Sequence, residues 1–184
     1  MGNDVWNDAV HALDAKDYGR ARTLFASLGE NKEAQLQLGY LYQEGLGGEA
    51  SREKAQEIFQ ALADANDLQG SYFLAKVFLS SSRLPEAAHY FEKSAQLGHA
   101  SGAYWAAALH RGLYGHSTDI QKHRSFLELA AKLGHIYGKR DLALEDAQAA
   151  SSFRERGAAY LRYLGILVQG IALTFRDRHD LRIR

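Results

Sequence analysis

Apolar and polar positions alternate along this chain with the period of a helix, in blocks that recur. Each block opens with an apolar residue followed by a small one: Leu38-Gly39, Leu74-Ala75, Ala106-Ala107 and Leu142-Ala143. A second stretch follows, with a charged residue and an alanine and then an apolar or aromatic pair. It reads Arg20-Ala21 with Leu24-Phe25, Lys54-Ala55 with Ile58-Phe59, and Glu86-Ala87 with Tyr90-Phe91; the next copy is Lys122-His123 with Phe126-Leu127. Both stretches predict helices. The second helices are expected to end at Asn66, Gly98 and Gly134, residues that tolerate the left-handed turn of a helix C-cap. These ends lie 32 and 36 residues apart, an interval that two helices and two turns fill. One helix pair cannot bury its apolar face alone, so the pairs must stack. The predicted fold is all-α, an α-α superhelix of helix-turn-helix repeats over residues 1–150. An atypical apolar C-terminal helix and a basic tail occupy 151–184. Tyr42, Phe59, Phe78, Phe91 and Phe126 fall at helical spacing and read as core.

The first full block carries Ala34, Leu38-Gly39, Tyr42, Gly45, Gly47, Lys54-Ala55, Phe59 and Ala63. The second keeps Leu74-Ala75, Phe78, Ala87, Tyr90-Phe91, Ala95 and Gly98, with a shortened loop at Ser80-Ser81-Ser82. The third keeps Ala106-Ala107, Lys122, Ala130-Ala131 and Gly134, but has His110 where an aromatic is expected. The fourth fades after Leu142-Ala143, and a half-copy from Trp6 to Leu28 precedes them all. In this phased recurrence the chain resembles the Sel-one-like repeat family, a relative of the tetratricopeptide repeats. The resemblance implies a curved array whose first helices line an inner groove. It places Trp6, Leu36, Tyr72, Tyr104 and Arg140 in that groove, then Val10, Tyr40, Lys76, Ala108 and Leu144, with Arg111 one turn on. Large aromatics interleaved with Lys and Arg suit a binding strip, since Tyr, Trp and Arg are enriched at hot spots. The implied function is a non-catalytic adaptor or scaffold that holds a protein or peptide.

Composition narrows this reading. Apolar residues make up 46% of the chain and there is one proline, Pro85, so a helical array with a sizeable core is affordable. Lys+Arg and Asp+Glu both total 22, which gives no global pull toward nucleic acid. No cysteine is present, which removes disulfides and thiolate chemistry and is compatible with a cytoplasmic location. The acidic start Met1-Gly-Asn-Asp-Val-Trp-Asn-Asp is not that of a signal peptide. His110, His116 and His123 lie near one long loop, Arg111 to Asp119, without the spacing of a helical metal-ligand pair. Gly45-Leu-Gly-Gly48 lacks the lysine of a phosphate loop and reads as a helix connection. The carboxylates read as scattered over exposed helix faces. No catalytic set, metal site or cofactor site emerges.

The run Gly157–Phe175 breaks the repeat. It is 19 residues long with Arg162 its only charge, flanked by Arg154, Arg156, Arg176 and Arg178. As a helix it would be about 28 Å long, close to a bilayer core. Three readings compete: a cap on the last repeat, a homodimer contact, or membrane association, as a membrane tail or lying in the headgroup plane, at the inner face of the cell membrane in the cytoplasmic reading. Tyr160, Leu164, Leu167, Val168, Ile171 and Phe175 are the candidate contact residues. With the membrane reading, the family resemblance implies a peripheral accessory protein of a bacterial envelope, polysaccharide or secretion assembly.

Overall fold

A computed structural model describes residues 2–176, with side chains described over 4–170. It contains ten α-helices among these residues and no strand. Their packing separates the chain into two compact units, Met1–Arg83 and Leu84–Arg184. That boundary is one of packing. The boundary expected near residue 150 is one of sequence pattern.

The first unit holds α1 (Gly2–Asp14), α2 (Tyr18–Ser27), α3 (Lys32–Glu44), α4 (Arg52–Asp64) and α5 (Leu68–Ser80). Each helix packs on the next in sequence. Phe25, Leu41, Phe59 and Leu74 are fully buried and form the centre of this unit. Gly39 shows why a small residue follows the apolar one: a Cβ there would sit 2.5 Å from the Phe59 ring. Phe59 in turn stacks on Phe73, with centroids 5.3 Å apart.

The second unit holds α6 (Leu84–Gln96), α7 (Ala100–His110), a 3-10 turn (Leu113–Gly115), α8 (Ile120–Lys132), α9 (Ile136–Ala149) and α10 (Phe153–Arg176). Sequential neighbours pack here too, and α10 lies along α9. Phe91, Leu109 and Leu127 are buried, and Phe91 stacks on Trp105 at 5.8 Å.

The expected helix ends hold. Asn66, Gly98 and Gly134 take φ of 57°, 100° and 95°. The first helices also share a start that the sequence reading passed over. Asn31, Asp67, His99 and His135 cap α3, α5, α7 and α9, and each side chain accepts a hydrogen bond from the N–H three residues on. The receiving residues are Ala34, Gly70, Gly102 and Gly138, at 2.8, 2.8, 3.0 and 3.1 Å. Three different cap residues satisfy the same orphaned donor. The small residue three positions on is required by close packing: a Cβ at Gly102 would lie 2.8 Å from Ser94 Oγ, and one at Gly138 2.9 Å from Ala130 Cβ.

Candidate functional site

The first helices carry the residues expected in a groove, and their surroundings differ. Leu36 is buried at 9% exposure and joins the core, so it offers no surface to a partner. At 100° per residue Leu36 falls on the other side of α3 from Ala34, Leu38 and Leu41, so this helix is buried on more than one side. Trp6 is half-buried against the first unit's core, edge-on to Phe25 at 5.6 Å. Tyr40 is 42% exposed. Tyr72 is half-buried, edge-on to Phe73, and the exposed Lys76 has its Nζ 5.9 Å from the Tyr72 ring centroid.

In the second unit the expected residues converge. A cavity of about 520 Å³ is lined by Tyr104, Trp105, Ala108, Arg111, Leu113 and Asp141, with Leu127 and His123 among its deeper walls. Its floor is aromatic and aliphatic, and its polar groups gather in two networks. In one, the Tyr104 hydroxyl donates to Asp141 Oδ2 at 2.9 Å, while Arg140 Nε donates to Asp141 Oδ1 at 2.6 Å. The Tyr104 ring stacks on the buried His135 at 4.5 Å. Burial first, and the neighbouring Asp141 carboxylate second, push the Tyr104 phenol up to about 12. Arg140 itself does not line the cavity; it holds the carboxylate that does. In the other network, His123 Nδ1 donates to the Ala107 carbonyl at 2.8 Å and Nε2 meets Glu145 at 2.7 Å. Both ring nitrogens face acceptors. Glu145 also meets Arg124 at 3.7 Å and Arg111 at 3.8 Å.

The rim beside α7 is a tight turn. Gly112, Tyr114 and Gly115 all take positive φ (96°, 55° and 82°), and Asp119 N–H closes the loop on the His110 carbonyl at 2.8 Å. His110 fills the position where an aromatic was expected. Its ring stacks on Phe126 at 6.0 Å, nearly parallel, while Nε2 meets Glu92 at 2.5 Å. Burial would raise the Glu92 carboxyl, but hydrogen bonds from His110 and Lys122 outweigh it and hold the group below its ordinary value.

One expectation is corrected here. The carboxylates of this unit are not all scattered on open faces: Glu92, Asp141 and Glu145 are largely covered and paired across helices. The histidines after the helix-ending glycines sit in the turns and cap the next helices, and His135 is 2% exposed. Periodicity could not find these pairs because their partners lie 16 to 37 residues apart. The local signal that was available is the cap spacing, His-x-x-Gly twice.

On α10, Ala159, Tyr163, Ile166 and Gly170 are buried or half-buried on the side toward α9. Tyr160, Leu164, Leu167 and Val168 are exposed. Ile171 and Phe175 lie outside the residues whose side chains are described, as do Arg176 and the tail from 177. Among the described residues no helix is long and apolar enough to cross a membrane. No group of three or more His, Asp or Glu among them is placed to hold a metal ion.

The profile of the Sel1 repeat matches residues 32–67, 84–99 and 100–135. The chain is a Sel1-like repeat protein. The matched segments correspond to α3 with α4, α6, and α7 with α8. A Sel1 repeat protein from Oxalobacter formigenes is similar in structure with TM-score 0.75 and 22% identity, over 88% of this chain and 69% of that one. MamA is similar with TM-score 0.60 and 15% identity, over 90% and 96% of the two chains. At these identities the likeness shows the fold, an all-α repeat of the superhelix class. No curated protein sequence matches the chain. Sel1 repeat proteins are in general protein-interaction scaffolds without catalytic activity of their own.

Proposed function

We propose that this Sel1-like protein is a non-catalytic adaptor that binds a protein or peptide through the second unit, with the cavity beside Tyr104 and Arg111 as the anchor point. The cavity carries the reading. About 520 Å³ is enough for one large apolar or aromatic side chain, and the floor of Trp105, Ala108 and Leu127 suits such a group. Around it the charged groups are already paired, Arg140 with Asp141 and Glu145 with His123 and Arg124. A site whose charges are satisfied internally favours an apolar anchor over an ion. Arg111, exposed and only 3.8 Å from Glu145 at its nearest, is the group at the rim best able to turn to a partner carbonyl or carboxylate.

This arrangement also argues against catalysis at the cavity. The His123 nitrogens are both engaged, and the Tyr104 phenol is held protonated, so neither stands as a base beside a nucleophile.

The test is selection of peptides from a random display library on the full chain, followed by affinity measurement. Ala108→Trp fills the cavity, and Arg111→Ala trims its rim. The expected result is enriched peptides with a recurrent aromatic or large aliphatic residue, bound at least about tenfold more weakly by Ala108→Trp, equivalent to ~1.4 kcal/mol. Selected peptides that bind Ala108→Trp and wild type equally would sink the assignment. Circular dichroism of the variant controls for loss of fold.

A further inference from the structure

The helix α10 turns one side to α9 and leaves the opposite side uncovered. Phe153 is 92% exposed, Leu161 71% and Val168 66%, with Leu164 between them and Tyr160 and Leu167 along one border. At 100° per residue these side chains share one continuous sector, centred opposite Ala159 and Ile166. A single exposed leucine needs no explanation, but a continuous apolar sector along a helix does.

The charges bordering that sector identify what covers it. Arg154 and Arg156 fall on its two sides, and neither has a carboxylate partner among the described residues. Arg162 lies farther round, 3.5 Å from Asp146. Glu155 is the only acid in the helix, and it is spent on the N-terminus, accepting from the Ser151 hydroxyl at 3.1 Å and the Ser152 N–H at 3.2 Å. The second unit as a whole has 14 basic against 10 acidic residues, while the first has 8 against 12.

A second copy of this chain fits poorly. Arg154 and Arg156 stand at one end of α10. Parallel pairing of two such helices sets each of these arginines beside its copy. An anionic lipid surface answers both features at once. Its acyl boundary takes the apolar sector, and its phosphates take the arginines on either side.

We propose that the uncovered face of α10 is a docking surface for an anionic lipid bilayer, on which the helix lies in the headgroup plane. The helix stays docked on α9 and does not cross the membrane. The binding is reversible and salt-sensitive, with each bordering arginine contributing roughly fivefold in affinity.

The test is sedimentation of the full chain with vesicles of phosphatidylcholine alone and with about one third phosphatidylglycerol. The expected result is recovery with the anionic vesicles at least about tenfold above the neutral ones, falling as salt is raised. Leu161→Asp with Val168→Asp removes the interaction. Both residues are exposed, so helicity should not change, and circular dichroism checks that. Arg154→Glu with Arg156→Glu is a second variant that leaves the apolar sector intact and should lose most of the anionic preference. Equal recovery with both vesicle types, or none with either, overturns the proposal. So does light scattering that shows a concentration-dependent oligomer abolished by the Leu161/Val168 variant, which would assign the face to a second copy. An unaltered vesicle profile in Ala108→Trp keeps this result separate from the peptide site.

Discussion

The two units are built from the same helix pair and are held together differently. In the first, the centre is aromatic and aliphatic: Phe25, Leu41, Phe59 and Leu74, with Gly39 admitting the Phe59 ring. A cross-helix ion pair with a covered carboxylate there joins Lys32 to the α5 cap Asp67 at 2.8 Å. In the second, polar networks thread the core. Glu92 joins His110 to Lys122, Glu145 joins His123 to Arg124, and Asp141 joins Tyr104 to Arg140. The repeat fixes where helices start, stop and approach one another, and leaves open what fills the positions between. Where histidine replaces an aromatic, as at position 110, the ring still stacks and gains a polar edge that must then be answered.

The largest effect should be common to both units. Phe59→Ala in the first and Phe91→Ala in the second each empty a fully buried site and should each cost about 3–5 kcal/mol by chemical denaturation. A cost in one unit and not in the other would mean that the shared core register is wrong.

The next effect should separate the units. Glu145→Ala strips the covered His123 Nε2 of its partner and loosens Arg124, at a cost of ~1–3 kcal/mol. In the first unit, Asp67→Ala should cost about 1 kcal/mol, the usual worth of a helix cap. Equal costs would remove the contrast between a polar and an apolar core.

Titration sharpens it further. The Glu92 carboxyl is held low by His110 and Lys122 against the pull of burial, and Asp67 is held low against burial by Lys32 and by the Gly70 and Gln69 amides. A carboxyl whose folded value lies below its unfolded one stabilises the fold at pH above the unfolded value, 4.5 for Glu92 and 3.8 for Asp67. That stability is lost as the pH falls further, so acid unfolding should begin below about pH 4.5 and shift upward in Lys122→Ala. The Tyr104 phenol has the opposite sign. Its folded value is raised from 10.0 to about 12, so its contribution is intact below pH 10 and fades toward pH 12. Asp141→Asn should bring the phenol partway back toward 10, read by ultraviolet titration; an unmoved value would leave burial as its sole cause.

These pairings also mark how far the sequence could be read. The helix order, the C-terminal turns at Asn66, Gly98 and Gly134, and the buried Phe59 and Phe91 follow from local pattern, because each depends on neighbours three or four residues away. Tyr104 and Arg111, which the repeat register sets on one helix, line one cavity. Leu36 was placed in the groove and lies in the core, since register cannot tell a half-turn of rotation on a helix that is apolar on more than one side. Asp141 and Glu145 went unseen, and His123 was named without its partners, because their roles come from contacts between helices, which no single helix encodes.

The direct test of the binding role is an amide-shift map of the full chain with a display-selected peptide. The account predicts perturbations gathered at Tyr104, Ala108, Arg111 and Leu113, and lost in Ala108→Trp. Perturbations centred on Tyr40, Tyr72 and Lys76, with the second unit silent, would contradict it.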